Sequence, residues 1–562
     1  MGARWLRNVV GAAVLASAAA ACGGGGGVHT GGDVPPTPAA PSAPDAGSGQ
    51  QTPDGGPPDA GPVEEAHRCD PTAGEARWVL EGEPVSATVS CATGLTGAAV
   101  RFSITHLPAG ATWDAASATL HWTPTRDQAA VYLLTLREES TGETGTLKVG
   151  VADNGGAKVA DPMTYTEELG LPVVHLFFDA ATGLSAGGYR PVQVVYRGHR
   201  YTAEAQYRGA TSSTFPKRSL TLKFPDGDLF NEPVFGDGFT DRKRVVLVTT
   251  FNENSYLRSR LAFDLWNRMS PEHVQIHTYS AVLYMNGSYK GLFTVADHVD
   301  KRMLQGVGMD KDSDLFKAVL ENANFSRLRQ DGTPKDSLHE DVEKKEGSEG
   351  AGAWATYDGL VAWVSDADAG TFRTGFAQKL NAQDYADWWI FNTLIVGTDS
   401  MAKNSYHAYD PKAGGPWRYI PWDLDATFGQ NFDTTRIGPT ARLTFEGDNL
   451  LFRKMLQEPS IAGPMRERYR TLLRTQLSES VVQGLIDQYV KETAPSARKD
   501  WAAWQEWYHH FGDPTLQPYD IGYGNFPKWH ERTDFNTYEG EVQYVRDWVH
   551  ARWGSLQSGG VP

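Results

Sequence analysis

The sequence predicts a multidomain protein, in which an exported N-terminal segment precedes a small all-β domain and a larger α+β domain. The chain has 562 residues, which is more than one ordinary domain needs. Short β-branched and aromatic runs bounded by turn residues fill its middle, and apolar residues recur at helical spacing beyond about residue 350. A strand-rich stretch followed by a helix-rich stretch is typical of an α+β domain.

The first 21 residues have the pattern of an export signal. Arg4 and Arg7 precede an apolar run, residues 9–21, that is too short to span a bilayer comfortably. Small residues then lead to Cys22 and resemble the lipobox of bacterial lipoproteins. This resemblance implies lipidation of Cys22 and a lipid anchor in the membrane; ordinary secretory cleavage is the alternative. Since Gly23 is not the aspartate typical of inner-membrane retention, we expect an exported lipoprotein of the outer membrane or cell surface.

Residues 23–66 are predicted to form a disordered tether. Gly, Pro, Ala, Ser and Asp dominate this segment, so it cannot bury enough apolar surface to offset its ordering entropy. Beyond it, Cys69 and Cys91 are the two cysteines left once Cys22 is assigned to lipid, and in an oxidising compartment they predict a disulfide. The net charge of −16 argues against a nucleic-acid partner.

Residues 67–153 are predicted to form the small β domain. Strand-like runs at 99–104 and 131–136 enclose the segments LPAGATWD, at 107–114, and LHWTP, at 120–124. These segments resemble the immunoglobulin-like repeats of bacterial surface proteins. The resemblance implies an immunoglobulin-like sandwich that acts as a spacer or adhesion module and carries no catalysis.

Residues 160–562 are predicted to form the α+β domain. Strand patterns run from about 172 to 295 and include a hairpin across Asn286-Gly287. One helix is predicted among these strands, at 256–269. Further helices follow at 352–365, 383–397, 449–457, 461–476, 478–492 and 539–554.

An acidic constellation lies between residues 399 and 429. Asp399 and Asn404 stand five residues apart, and Asp423 and Asp425 follow the next strand-like segment. Phosphoryl transfer requires a carboxylate that deprotonates the acceptor hydroxyl and oxygen ligands that hold a hard divalent cation. The spacing alone is a weak signal, because carboxylates near a turn are usually caps or solvated groups.

Five segments resemble, in order, the CotH family of spore-coat-H-type kinases. The first joins RGATSS to PKRSL, and the second is a helix containing LRSRLAFDL. The third is the hairpin LYMNGSYKGLF, the fourth is LFKA, and the fifth is IPWDLDATFG. They occupy residues 207–220, 252–265, 283–293, 315–318 and 420–429.

This resemblance implies a divergent two-lobe kinase-like fold that binds ATP with Mg²⁺ or Mn²⁺. It also implies an atypical protein kinase that phosphorylates serines of secreted or surface proteins. By position in the motifs, Asp399 becomes the catalytic base and Asp423 the chief metal ligand. Asn404 and Asp425 are the further metal-ligand candidates.

The nucleotide-binding candidates lie upstream of this acidic stretch. Lys217 follows the turn at Arg208 and is the first candidate for contacting phosphate; a solvated lysine at a strand edge is the alternative. Lys317 is the second, because a lysine between apolar neighbours usually has a partner. Arg208 joins them, and Asp297 stands where the family commonly has a glutamate that could pair with a nucleotide-binding lysine.

A non-catalytic protein is the main alternative to a kinase. The tether, the immunoglobulin-like module and the exported location all suit a surface scaffold or adhesion protein whose CotH-like domain has lost turnover. The sequence has no HExxH zinc motif, which leaves a zinc hydrolase without support.

Overall fold

The computed structural model describes residues 69–92, 100–155, 161–209, 211–233, 239–249, 251–510 and 537–562. The predicted signal segment, Cys22 and the tether lie outside the described residues. His67–Pro562 form one compact unit. Within the part of the chain that is described, no helix is long and apolar enough to cross a membrane.

The described residues of the N-terminal β domain form nine strands. Four of them build one sheet in the order β2-β9-β8-β5, three build a second in the order β3-β7-β6, and β1 pairs with β4. Residues from both larger sheets share one apolar core, as a sandwich requires. The strands are β1 (Pro71–Thr72), β2 (Arg77–Leu80), β3 (Val85–Thr88), β4 (Ser90–Cys91), β5 (Phe102–Thr105), β6 (Thr112–Asp114), β7 (Thr119–Trp122), β8 (Ala130–Glu138) and β9 (Thr144–Ala152).

The predicted disulfide is confirmed. Cys69 and Cys91 are bonded within this domain, with their Cα atoms 5.0 Å apart. The indole of Trp113 donates to the carbonyl of Phe102 at 3.3 Å, and that of Trp122 donates to the carbonyl of Ala109 at 3.2 Å. Both tryptophans therefore serve the packing of the sandwich.

A large sheet follows and closes on itself. Its order is β10-β11-β12-β13-β14-β15-β17-β16, and a parallel pairing of β16 with β11 joins the two sides. The closed sheet encloses its own apolar core, because alternate side chains of these strands point inward. The strands are β10 (Glu167–Glu168), β11 (Leu171–Phe177), β12 (Arg190–Tyr196), β13 (His199–Tyr207), β14 (Leu220–Lys223), β15 (Arg244–Thr249), β16 (Thr278–Met285) and β17 (Ser288–Asp297).

The Asn286-Gly287 turn joins β16 to β17, which confirms the predicted hairpin. Both turn residues have positive φ, 49° and 78°, as a two-residue hairpin turn of this kind requires. A third sheet has the order β19-β18-β20-β21 and carries the acidic constellation at its end. Its strands are β18 (Asp314–Ala318), β19 (Val342–Glu346), β20 (Ser405–Tyr409) and β21 (Arg418–Pro421).

Helices dominate the second half, as predicted, with three differences. The helix predicted at 478–492 continues to residue 510 despite Pro495, and the helices at 301–306 and 369–379 were not predicted. The kinase-like division into two lobes stays a prediction. The helices are α1 (Arg258–Met269), α2 (Lys301–Gly306), α3 (Ala355–Asp366), α4 (Ala369–Lys379), α5 (Ala382–Ile395), α6 (Leu450–Gln457), α7 (Pro459–Arg474), α8 (Glu479–His510) and α9 (Tyr538–Gly559).

Helix α8 ties the β domain to the closed sheet. Lys499 on α8 donates to the carboxylate of Glu168 at 2.9 Å and also to the carbonyl of Asp153 at the end of the β domain. The hydroxyl of Tyr165 donates to Glu168 at 2.5 Å and accepts from the amide of Asp153 at 3.0 Å. Since Glu168 and Asp153 are buried, this network holds the two domains together.

His407 lies on strand β20 of the third sheet, and its buried side chain makes the fold sensitive to acid. Burial lowers its pKa to about 3, so the native state keeps it neutral whereas the unfolded chain protonates it below about pH 6.5. The stability that this difference contributes is present above pH 6.5 and is lost as pH falls toward 3, by about 1.4 kcal/mol per pH unit.

We expect His407→Gln to lower the slope of the unfolding free energy against pH by about 1.4 kcal/mol per pH unit. The measurement is urea unfolding at several pH values between 7 and 5. Tyr385→Phe removes the hydroxyl 3.0 Å from Nδ1 of His407 and is the control. It lowers stability at every pH and keeps the slope. An unchanged slope in His407→Gln would contradict the prediction.

Candidate active site

The loop after helix α5 positions Asp399 and Asn404. Asn404 has a positive φ of 55°, which asparagine tolerates better than most residues. Its Nδ2 donates to the backbone carbonyl of Asp399 at 2.9 Å and to the carboxylate Oδ2 of Asp399 at 2.7 Å. The other amide atom of Asn404, Oδ1, is an acceptor and is therefore available as a ligand for a cation.

Asp399 is held in place by a lysine as well. Nζ of Lys403 lies 3.0 Å from Oδ1 of Asp399 and 2.7 Å from the carboxylate of Glu321. Burial raises the pKa of Asp399 to about 6, against the opposing effect of Lys403. A carboxylate with a raised pKa is a better proton acceptor than an ordinary aspartate.

Asp423 and Asp425 follow strand β21 at the same end of the sheet. The amide of Trp422 donates to the carbonyl of Asn404 at 3.1 Å, which joins the two acidic segments. Asp423 is exposed and has a φ of 58°. Asp425 is half-buried and accepts a hydrogen bond from Nδ2 of Asn252. Burial, followed by the charge of Asp423, raises the pKa of Asp425 to about 7.

The atoms that this arrangement offers fit a hard divalent cation. Asp423, Asp425 and Asn404 supply only oxygen ligands, which Mg²⁺ and Mn²⁺ prefer. Burial first and repulsion from Asp423 second raise the pKa of Asp425, and a bound cation would relieve that repulsion. Among the described residues no group of three or more His, Cys, Asp or Glu side chains could hold a metal. The candidate set therefore depends on the amide of Asn404.

Two cations face the acidic residues. The guanidinium of Arg208 lies 5.1 Å from the ring centroid of Trp422. Arg208 lines a narrow cavity of about 40 Å³ together with Asp423 and Asp425. Lys317 on β18 is half-buried, and burial, followed by the charge of Arg208, lowers its pKa while Asp423 opposes the shift. The charges of Arg208 and Asp423 therefore both act on Lys317.

The structure places Lys217 and Asp297 elsewhere. Nζ of Lys217 is buried, 2.7 Å from the carboxylate of Asp500 on α8 and 2.8 Å from the carbonyl of Leu292. The carboxylate of Asp297 is buried against Arg242 at 2.6 Å and accepts from the backbone amide of His277 at 2.9 Å. Both pairings serve the fold, and neither of these two candidates joins the acidic cluster.

Some residues of the site were not singled out by sequence analysis. Asn252 and Lys403 contact the acidic residues directly, and Glu321 contacts Lys403. Asn252 begins the LRSRLAFDL segment, and Lys403 stands within the Asp399–Asn404 spacing, so both lay inside recognised motifs. Glu321 had no sequence signal, because only the path of the chain after β18 brings it to Lys403.

Two segments of the chain match known protein families, and one of these segments contains the acidic site. Residues 205–556 match the family described as "CotH kinase protein", which is more than half of the chain. The chain belongs to the CotH family. The match reaches further than the five recognised segments and takes in helices α8 and α9. Residues 79–166 match the family described as "Putative Ig domain", so an immunoglobulin-like domain precedes the CotH domain.

A curated relative supports the same family. The chain is 23% identical over 279 residues to the "Inner spore coat protein H" of Bacillus subtilis (strain 168), covering 50% of this chain and 72% of that protein. Among solved structures, a "putative alpha-galactosidase/melibiase" from Bacteroides fragilis aligns over 22% of this chain and 21% of its own, at 14% identity and a TM-score of 0.13. That similarity is too low to support an argument.

Proposed function

We propose that the CotH domain is an ATP-dependent protein kinase that phosphorylates serines of secreted or surface proteins. The observation that carries this proposal is the convergence of Asp399, Asn404, Asp423 and Asp425 at one end of the third sheet. Arg208 lines a cavity with Asp423 and Asp425, and the charges of Arg208 and Asp423 act on Lys317 of β18. A kinase needs a base, oxygen ligands and cations for phosphate in such proximity.

Each group has a distinct task in this proposal. Asp399 accepts the proton of the serine hydroxyl as the serine oxygen bonds to the γ-phosphorus of ATP and the bond from that phosphorus to the β-phosphate oxygen breaks, releasing ADP. Lys403 and Asn404 keep the carboxylate of Asp399 oriented. Asp423, Asp425 and Asn404 would hold Mg²⁺ or Mn²⁺, which neutralises phosphate charge when bound. Arg208 and Lys317 bind the phosphates.

The proposal is tested by Asp399→Asn in purified protein spanning residues 67–562, the compact unit. We expect wild-type protein to bind ATP only with Mg²⁺ or Mn²⁺ and to transfer phosphate to itself or to a serine substrate. Loss of the base should lower the transfer rate by about 10²- to 10⁴-fold and leave ATP affinity within about twofold. Absence of metal-dependent ATP binding at millimolar ATP would refute the kinase proposal.

Lys317→Met should weaken ATP binding by roughly 10- to 100-fold, because a charged hydrogen bond to phosphate contributes about 1.5–3 kcal/mol. The measurement is isothermal titration with ATP and Mg²⁺. Lys311→Met is the matched control, since Lys311 is exposed and pairs with Asp312 at 2.8 Å. Equal affinity of the Lys317 variant and the wild type would remove Lys317 from the nucleotide site.

The proposed cellular location rests on the N-terminal sequence and not on the candidate active site. We propose that the protein is an exported lipoprotein, anchored through Cys22 and displayed at the outer membrane or cell surface on the tether of residues 23–66. The relative from Bacillus subtilis is named as a spore-coat protein, which fits an address outside the cytoplasm. Loss of [³H]palmitate labelling in Cys22→Ser would support the anchor, and retained labelling would contradict it.

One observation favours the non-catalytic alternative. The resemblance to the family implies that Asp297 could pair with a nucleotide-binding lysine. In the structure the carboxylate of Asp297 instead contacts Arg242 and His277. A scaffold or adhesion protein would tolerate that change. Metal-dependent ATP binding separates the two functions, because a scaffold has no requirement for it.

A further inference from the structure

A cavity of about 540 Å³ lies at one end of the closed sheet. Strands β11, β13 and β16 end beside it, strands β14 and β17 begin beside it, and α8 forms a further wall. Barrel mouths commonly bind ligands, and small-molecule sites occupy roughly 300–1,000 Å³. Different residues line the narrower cavity beside Asp423. The residues of this barrel-mouth cavity include Phe178, Tyr207, Arg218, Asn286, Lys290 and Trp504.

The walls of the barrel-mouth cavity are largely apolar and aromatic. Met285 is buried and belongs to the core of the closed sheet, and Phe178 and Tyr207 pack against that core while staying partly exposed. The indole nitrogen of Trp504, on α8, donates to the carbonyl of Lys290 at 3.1 Å and fixes this ring against β17. The fold thus holds ready the faces against which a flat apolar ligand can pack.

The polar side chains of this cavity offer positive charge and hydrogen-bond donors. The guanidinium of Arg218 lies 5.0 Å from the ring centroid of Tyr207. Within the part of the chain that the structure describes, neither Arg218 nor Lys290 has a carboxylate partner. Oδ1 of Asn286 accepts from the amide of Phe178 at 3.0 Å, which leaves Nδ2 of Asn286 as a donor.

Negative charge on the cavity wall does not offset these cations. Lys217 also lines the cavity, but Asp500 neutralises it at 2.7 Å. Among the described residues that line the cavity there is no carboxylate, although the chain as a whole carries a net charge of −16. Two cations that lack carboxylate partners, beside aromatic rings, complement a ligand that is both anionic and apolar.

We propose that the barrel-mouth cavity binds a small organic anion with a flat apolar body. The apolar body packs between the rings of Tyr207 and Trp504. Arg218 and Lys290 hold the anionic group, since charge-assisted hydrogen bonds are the strong ones and a guanidinium suits a planar anion such as a carboxylate. This site is separate from the proposed nucleotide site, so the inference goes beyond the proposed function and does not depend on it.

Equilibrium dialysis of the purified full chain against three probes tests the ligand class. The probes are 1-naphthoate, its neutral analogue 1-naphthalenemethanol, and acetate, which has the charge without the rings. EDTA is present, so that the proposed nucleotide site holds no divalent cation. We expect 1-naphthoate to bind about 10-fold more tightly than either of the other probes, because it alone uses both the rings and the cations.

Arg218→Gln and Lys290→Gln should each lower the affinity for 1-naphthoate about fivefold and leave the affinity for 1-naphthalenemethanol unchanged. Trp504→Leu should instead weaken both naphthalene probes by a similar factor. Arg453→Gln is the matched control and should keep wild-type affinity. Arg453 is exposed like Arg218, and in both residues Nε donates to a backbone carbonyl, at 2.9 and 3.1 Å.

Three results would overturn the inference. The first is equal affinity of the wild type for 1-naphthoate and 1-naphthalenemethanol, or no binding of 1-naphthoate at millimolar concentration. The second is a preference for 1-naphthoate that survives both Arg218→Gln and Lys290→Gln. The third is loss of Mg²⁺-dependent ATP binding in these two variants, which would assign the cavity to the nucleotide site. A wild type that binds 1-naphthoate but no ATP would overturn the kinase alone.

Discussion

Asp423→Asn is expected to lower metal-dependent phosphoryl transfer by about 10³-fold, which is the scale of losing a charged group that stabilises the reacting phosphates. The substitution keeps the shape of the side chain. It also keeps a residue that tolerates positive φ, and Asp423 has a φ of 58°. The loss should therefore come from charge and not from misfolding.

Thermal unfolding with and without Mn²⁺ separates these causes. Without metal, the variant should melt at the same temperature as the wild type or higher, because the charge of Asp423 contributes to raising the pKa of Asp425. With Mn²⁺ and ATP, only the wild type should be stabilised. Asp331→Asn is the control, since Asp331 is exposed and bonds Thr333 within its own loop. Stabilisation of the Asp423 variant by Mn²⁺ would remove Asp423 from the metal set.

The contrast between Lys317 and Lys217 shows where sequence analysis reached its limit. Both lysines lie within recognised segments, and both were candidates for contacting phosphate. Their local sequences do not reveal their partners, because the carboxylate that binds Lys217 comes from Asp500, 283 residues further along the chain. A partner supplied by a helix outside the five recognised segments could not be inferred from spacing.

The strands and the acidic site were more accessible to sequence analysis. Period-two runs and the Asn286-Gly287 turn predicted the strands and their hairpin, since these signals are local. The Asp399–Asn404 spacing singled out two residues, and the structure shows that their side chains are in contact within one loop. Closure of the large sheet through β11 and β16 was not predicted, because it depends on a pairing between strands more than 100 residues apart.

Lys217→Met is expected to destabilise the fold by about 3–5 kcal/mol, because it leaves the carboxylate of Asp500 buried without its cation. Hydroxyls of Tyr256 and Tyr508 bond that carboxylate at 2.7 and 2.9 Å, and the amide of Leu292 bonds it at 2.7 Å. These donors partly satisfy the charge, so the loss should lie near the lower end of that range. Urea unfolding at pH 7 gives the free energy directly.

Adding Asp500→Asn to Lys217→Met should restore roughly 1–2 kcal/mol, since the second substitution removes the uncompensated charge. The amide oxygen can still accept from the amide of Leu292, while the amide nitrogen can donate to the hydroxyls of Tyr256 and Tyr508. Lys290→Met is the control. Lys290 lies on β17, is half-buried and takes no part in the pair of Lys217 and Asp500. The folded fraction of Lys217→Met should bind ATP as the wild type does. A variant with wild-type stability and lost ATP binding would instead return Lys217 to the nucleotide site, and would make its pairing with Asp500 a feature of the state without nucleotide.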